Sequence, residues 1–181
     1  MPSMNDTELL IKVLAEIDQR ALDALLSGHG PDTAFGKALH AAMQHEDFQE
    51  MLRNRYSLEG ADISKQPDTL RLLLYRLMER RQVNDPDIYN QCGIDKDLYH
   101  AIVSKRIKHH KNKATFYRMA LYLRLDYYEA VYFMNLAGHP FVPTHSKADQ
   151  VIAYCLCSQI YDFDCVEKIL QSQGAGSLFD K

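Results

Sequence analysis

The residues that could do chemistry in this chain are its eight histidines, its four cysteines and a run of cations past the middle of the sequence. The histidines do not assemble a metal site by spacing. His40 and His45 are five apart, about 140° round a helix, and the neighbours His109 and His110 diverge. His29, His139 and His145 sit beside glycine or proline or close to one, and read as loop residues. There is no HExxH, GxSxG, Walker loop or GxGxxG, and no carboxylate pair that helical spacing would bring into a cleft. Among Cys92, Cys155, Cys157 and Cys165 there is no CxxC, and Cys155 and Cys157 lie two apart in a helical run, pointing in nearly opposite directions. They read as buried free thiols, which suits a reducing compartment. The expectation is therefore a protein that is not an enzyme, without cofactor or metal ligands.

The cations carry more information. Lys+Arg total 21 against 24 Asp+Glu, a net charge of -3, so any surface for a polyanion must be local. Between Asp95 and Arg124 stand Lys96, Lys105, Arg106, Lys108, Lys111, Lys113, Arg118 and Arg124 against Asp95 and Asp97 alone. Residues 1–60, by contrast, hold ten acidic and five basic side chains. A basic stretch of this kind is chemistry for phosphates, which supply most of the affinity in nucleic-acid binding.

The elements that must position these residues are helical throughout. With 46% hydrophobic residues over 181, the chain can bury a substantial core in one or two domains. Leu10, Val13, Leu14, Ile17, Ala21 and Leu25 recur at three- and four-residue steps after the cap Asn5 and stop at Gly28-His29-Gly30. Phe35, Ala38, Leu39, Ala42 and Met43 form a second stripe, and Phe48, Met51 and Leu52 a third after a slip near His45. Leu58 to Gln66 reads as a linker, dividing residues 1–60 from a unit over 66–181. Beyond it, Asp68 can cap a helix carrying Leu70, Leu73, Leu74 and Leu77, and Asp85 to Cys92 makes a short helix with Pro86 just inside its start. Asp95 can cap a helix to about Arg106. Phe116, Met119, Ala120 and Leu123 form the next stripe, and Asp126 can cap a helix ending at Gly138. Two last helices span Ser146 to Ile160 and Asp164 to Gln173, the latter with Val166, Ile169 and Leu170 inward. No strand pair stands out, and the class is all-α. Tyr117, Tyr122, Tyr127, Tyr128 and Tyr132 sit at mixed helical phases, which suits core packing better than a stacking platform for bases.

A short helix, a glycine turn and a second helix, enclosed by further helices, is the layout of a helix-turn-helix unit. Ile88, Ile94, Tyr99 and Ile102 fall at the inward positions, and Gly93 suits a left-handed turn. In the pattern Ile88-Tyr89-x-x-Cys92-Gly93-Ile94-Asp95-x-x-x-Tyr99-His100-x-Ile102, and in Ala114-Thr115-Phe116-x-x-x-Ala120-x-x-Leu123-x-Leu125-Asp126, the chain resembles the lambda-repressor-like helix-turn-helix family. The resemblance runs from about Leu70 to Ala137. It also extends to a branch in which Leu136-Ala137-Gly138 and a final helical pair, Ser146 to Leu170, continue the domain. The resemblance implies sequence-specific binding of double-stranded DNA, as a regulator of transcription. Lys96, Asp97, His100, Ala101, Ser104 and Lys105 would then face the major groove. Lys108, Lys111 and Lys113, with Arg80 and Arg81, would hold phosphates, and Arg106 and His109 would lie beside them. Carboxylates repel phosphate, and Asp85, with Asp87 two residues on, departs from the family pattern at the start of the first helix of the pair; Asp95 and Asp97 put two negative charges at the end of the second helix that would approach DNA, of which Asp95 explains itself as a cap. The alternative is a helical adaptor for another protein that keeps the fold without the DNA.

Leu9, Leu10, Val13, Leu14, Ile17, Leu22, Leu25 and Leu26 make an apolar face that needs a cover. Either it pairs with a second copy, giving a homodimer, or it packs on the rest of the chain. No stretch approaches 18 apolar residues, and Met1 to Asp6 lacks the basic start of a secretory leader, so a cytoplasmic protein with no membrane contact is expected.

Overall fold

A computed structural model describes residues 69–104, 112–143 and 145–179, together with positions 11, 34, 37, 38, 41, 42, 45–48 and 50. The chain is all-α. The described residues contain seven bounded helices and no strand: α1 (Thr69–Arg81), α2 (Asp85–Gln91), α3 (Lys96–Val103), α4 (Lys113–Tyr122), α5 (Tyr127–Leu136), α6 (Lys147–Cys157) and α7 (Phe163–Ser172). None of them is long and apolar enough to cross a membrane.

Local chemistry starts and stops these helices. Each from α2 to α7 opens on a side chain that accepts a hydrogen bond from a first-turn amide: Asn84, Asp95, Asn112, Asp126, Ser146 and Asp162. In α2 and α5 the pairing is reciprocal, with Asp87 accepting from the Asn84 amide at 2.9 Å and Glu129 from the Asp126 amide at 2.9 Å. The expected caps Asp95 and Asp126 are in place, whereas Asp68 lies outside the described residues. The last helix begins one residue earlier than the expected start at Asp164, because Asp162 takes the Cys165 amide at 2.9 Å.

α4 and α5 are the centre of the bundle. Ala114 to Leu121 and Tyr127 to Met134 are buried on every side, as a helix must be when neighbours cover its whole circumference. α5 packs on α1, α4 and α6; α4 also meets α2; α2 carries α3, and α6 carries α7. Leu70, Leu73, Leu74 and Leu77 line the inner side of α1 as their spacing predicts. Four of the five tyrosines singled out above, Tyr117, Tyr127, Tyr128 and Tyr132, are buried. Ile11, Ala42 and Phe48 belong to the same buried cluster as these helices. Ile11 was not part of the apolar face read from the sequence; the other residues of that face lie outside the described ones.

Three buried charges cross-link the elements. Asp149 of α6, 1% exposed, accepts from Lys113 Nζ at 2.7 Å, from the Val142 amide at 2.8 Å and from the Tyr117 hydroxyl. Glu129 takes both guanidinium nitrogens of Arg80, Nη2 donating to Oε2 at 3.0 Å. Arg118 is buried without a carboxylate: it donates to the Leu178 carbonyl and to Thr115 Oγ1, with its guanidinium 5.4 Å from the Phe179 ring centroid. Desolvation holds the Arg118 pKa below the usual arginine range.

Cys92, Cys155 and Cys157 are the buried free thiols that the sequence predicts, but Cys165 is exposed. It stands in the first turn of α7, whose inward side is taken by Val166 and Leu170. Burial pushes the Cys92 thiol up to about 12 and the Cys155 thiol to about 11. In the native protein near pH 8, iodoacetamide should label one cysteine, Cys165, and all four only after denaturation; mass spectrometry of the labelled chain checks this. Asp149→Ala should cost about 3 kcal/mol in chemical denaturation, since it leaves the Tyr117 hydroxyl and the Val142 amide without their acceptor and Lys113 without its counter-charge. Asp149→Asn, which keeps the shape, should cost less.

Candidate nucleic-acid interface

The α2–α3 pair is assembled from local parts. Asn84 and Asp87 start α2, with Pro86 in its first turn where no amide hydrogen is needed. The helix ends when Gly93 turns to φ +61° and the Ile94 amide reaches back to the Tyr89 carbonyl at 2.8 Å. A Cβ at Gly93 would meet nothing within 4 Å, so the glycine is required by its backbone angle and not by crowding. Asp95 then accepts from the Leu98 amide at 3.0 Å and starts α3.

Ile88, Ile94, Tyr99 and Ile102 are buried, as expected of the inward positions. Tyr99 does more than fill space: its hydroxyl donates to Asp85 Oδ1 at 2.7 Å and ties α3 to the start of α2. Burial first, and the Asp85 carboxylate next, raise the Tyr99 pKa well above the usual tyrosine value, so the hydroxyl remains a donor at any physiological pH. Asp85 and Asp87 thus have roles within the protein, one bracing α3 and one capping α2. Tyr89 lies half-buried in the same cluster, its ring centroid 5.7 Å from Tyr99 and 6.1 Å from His100.

On the outer side of α3, Lys96, His100 and Ser104 follow one another at four-residue steps and so share a line along the helix. Lys96, Asp97 and Ser104 are exposed; His100 and Ala101 are half-buried. The His100 ring stands edge-on to Tyr99 at 5.5 Å, and Ser104, which closes the helix, donates its hydroxyl to the His100 carbonyl at 2.6 Å. Asp97 stands exposed in the first turn of α3, where a carboxylate is favoured by the helix dipole.

Lys105, Arg106, Lys108, His109 and Lys111 lie outside the described residues. Lys113, expected at a phosphate, is turned inward: its ammonium donates to the Pro140 carbonyl at 2.6 Å and to Asp149. A buried carboxylate draws the nearest cation, and that attraction outweighs solvent exposure here. Arg80 is likewise engaged by Glu129. Of the cations counted between Asp95 and Arg124, Arg118 is buried and the Arg124 guanidinium lies over the Tyr161 ring at 5.6 Å. The sequence reading missed the Asp85–Tyr99 bond, since the two residues are 14 apart and share no local pattern. Among the described residues no group of three or more His, Cys, Asp or Glu side chains could hold a metal ion.

Compared with models of known protein families, with curated proteins and with solved structures, the chain gives no match.

Gly93→Ala should lower stability by about 1 kcal/mol, the cost of a left-handed backbone for a residue with a Cβ. Tyr99→Phe should cost about as much through the lost hydroxyl bond. Urea denaturation checks both, and Gly93→Asn, which tolerates the left-handed region, should lie nearer the parent protein.

Proposed function

We propose that the chain binds double-stranded DNA through α3, as a helix-turn-helix protein of the lambda-repressor-like kind that regulates transcription. The observation that carries this reading is the bracing of α3. The Asp95 cap, the Gly93 turn and the Tyr99–Asp85 bond hold it with Lys96, His100 and Ser104 in line on its outer side. The basic run Lys105, Arg106, Lys108 and Lys111 follows at once in sequence. A rigid helix can place donors against base edges, and flanking ammonium groups can set its register on phosphates.

The phosphate set in this proposal excludes Lys113 and Arg80, whose charges are used inside the fold. Of the two roles open to the N-terminal segment, cover for the bundle is favoured over a dimer interface, because Ile11, Ala42 and Phe48 are buried in the bundle's own cluster. A second reading, an adaptor that binds a protein and not DNA, draws support from Asp97, an exposed carboxylate in the leading turn of α3.

A fluorescence-anisotropy titration on random duplex at several salt concentrations separates the two. DNA binding predicts a steep loss of affinity with salt; no binding at low salt hands the case to the adaptor. Lys105→Glu with Lys108→Glu should lower the salt slope by roughly two, whereas Lys12→Glu with Lys37→Glu should leave it nearly unchanged. Equal effects from both pairs would mean diffuse attraction only. His100→Ala should relax sequence preference while sparing non-specific affinity.

A further inference from the structure

A second concave site lies away from the outer line of α3, where the ends of α1, α2 and α4 meet the start of α7. It is an open groove of about 430 Å3, bordered by Arg81, Gln91, Tyr122, Arg124, Tyr161 and Asp164. Among the described residues neither of its two guanidinium groups is in an ion pair. Arg81 has a buried Nε with no hydrogen-bond partner, and Arg124 rests on the face of Tyr161. The ion pairs elsewhere among the described residues use Arg80, Lys113 and His45. Asp162 also borders the groove and caps α7, accepting from the Cys165 amide, so two carboxylates, Asp162 and Asp164, stand beside the two guanidinium groups.

Two guanidinium groups bordering one concavity can both reach a phosphate, and a planar fork matches phosphate oxygens better than any other side chain does. The remaining border is aromatic and polar. The Tyr122 and Tyr161 rings, with the Arg124 plane on Tyr161, offer stacking surfaces, while the Gln91 amide and the Asp164 carboxylate offer hydrogen bonds to the edge of a ring bearing amino groups. The volume falls within the range of pockets for small molecules. We infer that this groove is a binding site for a nucleoside monophosphate, its phosphate held by Arg81 and Arg124 and its base lying among the aromatic side chains. The inference does not depend on how α3 is used, because the ligand is a free nucleotide and the test contains no DNA.

The full chain, labelled with 15N, is titrated separately with adenosine monophosphate, inorganic phosphate and adenosine while the amide spectrum is followed. Adenosine monophosphate should shift the Gln91 side-chain amide and the backbone amides of Tyr122, Arg124 and Tyr161, and should bind about tenfold or more tightly than phosphate or adenosine alone. Arg81→Gln and Arg124→Gln should each weaken it by about tenfold with the thermal midpoint preserved. No shift at these residues with millimolar nucleotide would overturn the assignment, as would shifts centred on α3. Inorganic phosphate binding as tightly as the nucleotide would reduce the groove to an ion site and overturn the nucleotide. Should either arginine variant fail to fold, the shift map of the unaltered chain decides.

Discussion

A carboxylate with almost no access to water sets the geometry of the bundle. Asp149 must be compensated where it lies, because an isolated buried charge is far more costly than any single contact can offset. Its acceptors are used by a lysine and a tyrosine from the first two turns of α4 and by an amide of the segment that leads into α6. Three stretches of chain are thereby brought to one point. Lys113 is also the first residue of α4 and the last lysine of the basic stretch in the sequence.

The other buried charges are satisfied differently. Glu129 serves twice, capping its own helix and gripping Arg80 across the bundle. Arg118 relies on the Thr115 hydroxyl of its own helix and on a carbonyl and an aromatic ring from the C-terminal stretch, so that Leu178 and Phe179 become part of the core arrangement. These internal uses redistribute the charge counted along the sequence. Two of the eight cations between Asp95 and Arg124 serve the interior, and the groove behind α4 claims Arg124. What is left for an external polyanion is narrower than the count implies: Lys96 on α3 and the run that follows it.

The acidic residues of the α2–α3 pair have structural uses. Asp85, Asp87 and Asp95 each accept from a neutral donor within the pair. These hydrogen bonds make the pair rigid. The same donors orient Lys96, His100 and Ser104, so the features that look unfavourable for binding are those that hold the outer line in place. The aromatic cluster of Tyr89, Tyr99 and His100 adds packing between the two helices and fixes the imidazole against the protein.

The sequence by itself determined the described helices, two of their caps, Asp95 and Asp126, and the turn at Gly93, because those depend on interactions within five residues. A capping side chain reaches only the next turn, a buried stripe repeats with the helical period, and a left-handed angle is imposed by the residue that must adopt it. The inward positions Ile88, Ile94, Tyr99 and Ile102 were legible for the same reason. Only the tertiary structure decided which charged groups meet. Arg80 finds Glu129 at a separation of 49 residues, Lys113 finds Asp149 at 36 and Arg118 finds the Leu178 carbonyl at 60. A lysine in a basic run and a lysine that neutralises a buried carboxylate look alike in sequence. Their difference arises when two helices are packed side by side, and that placement, not any local spacing, turned Lys113 inward and brought two arginines to the border of one groove.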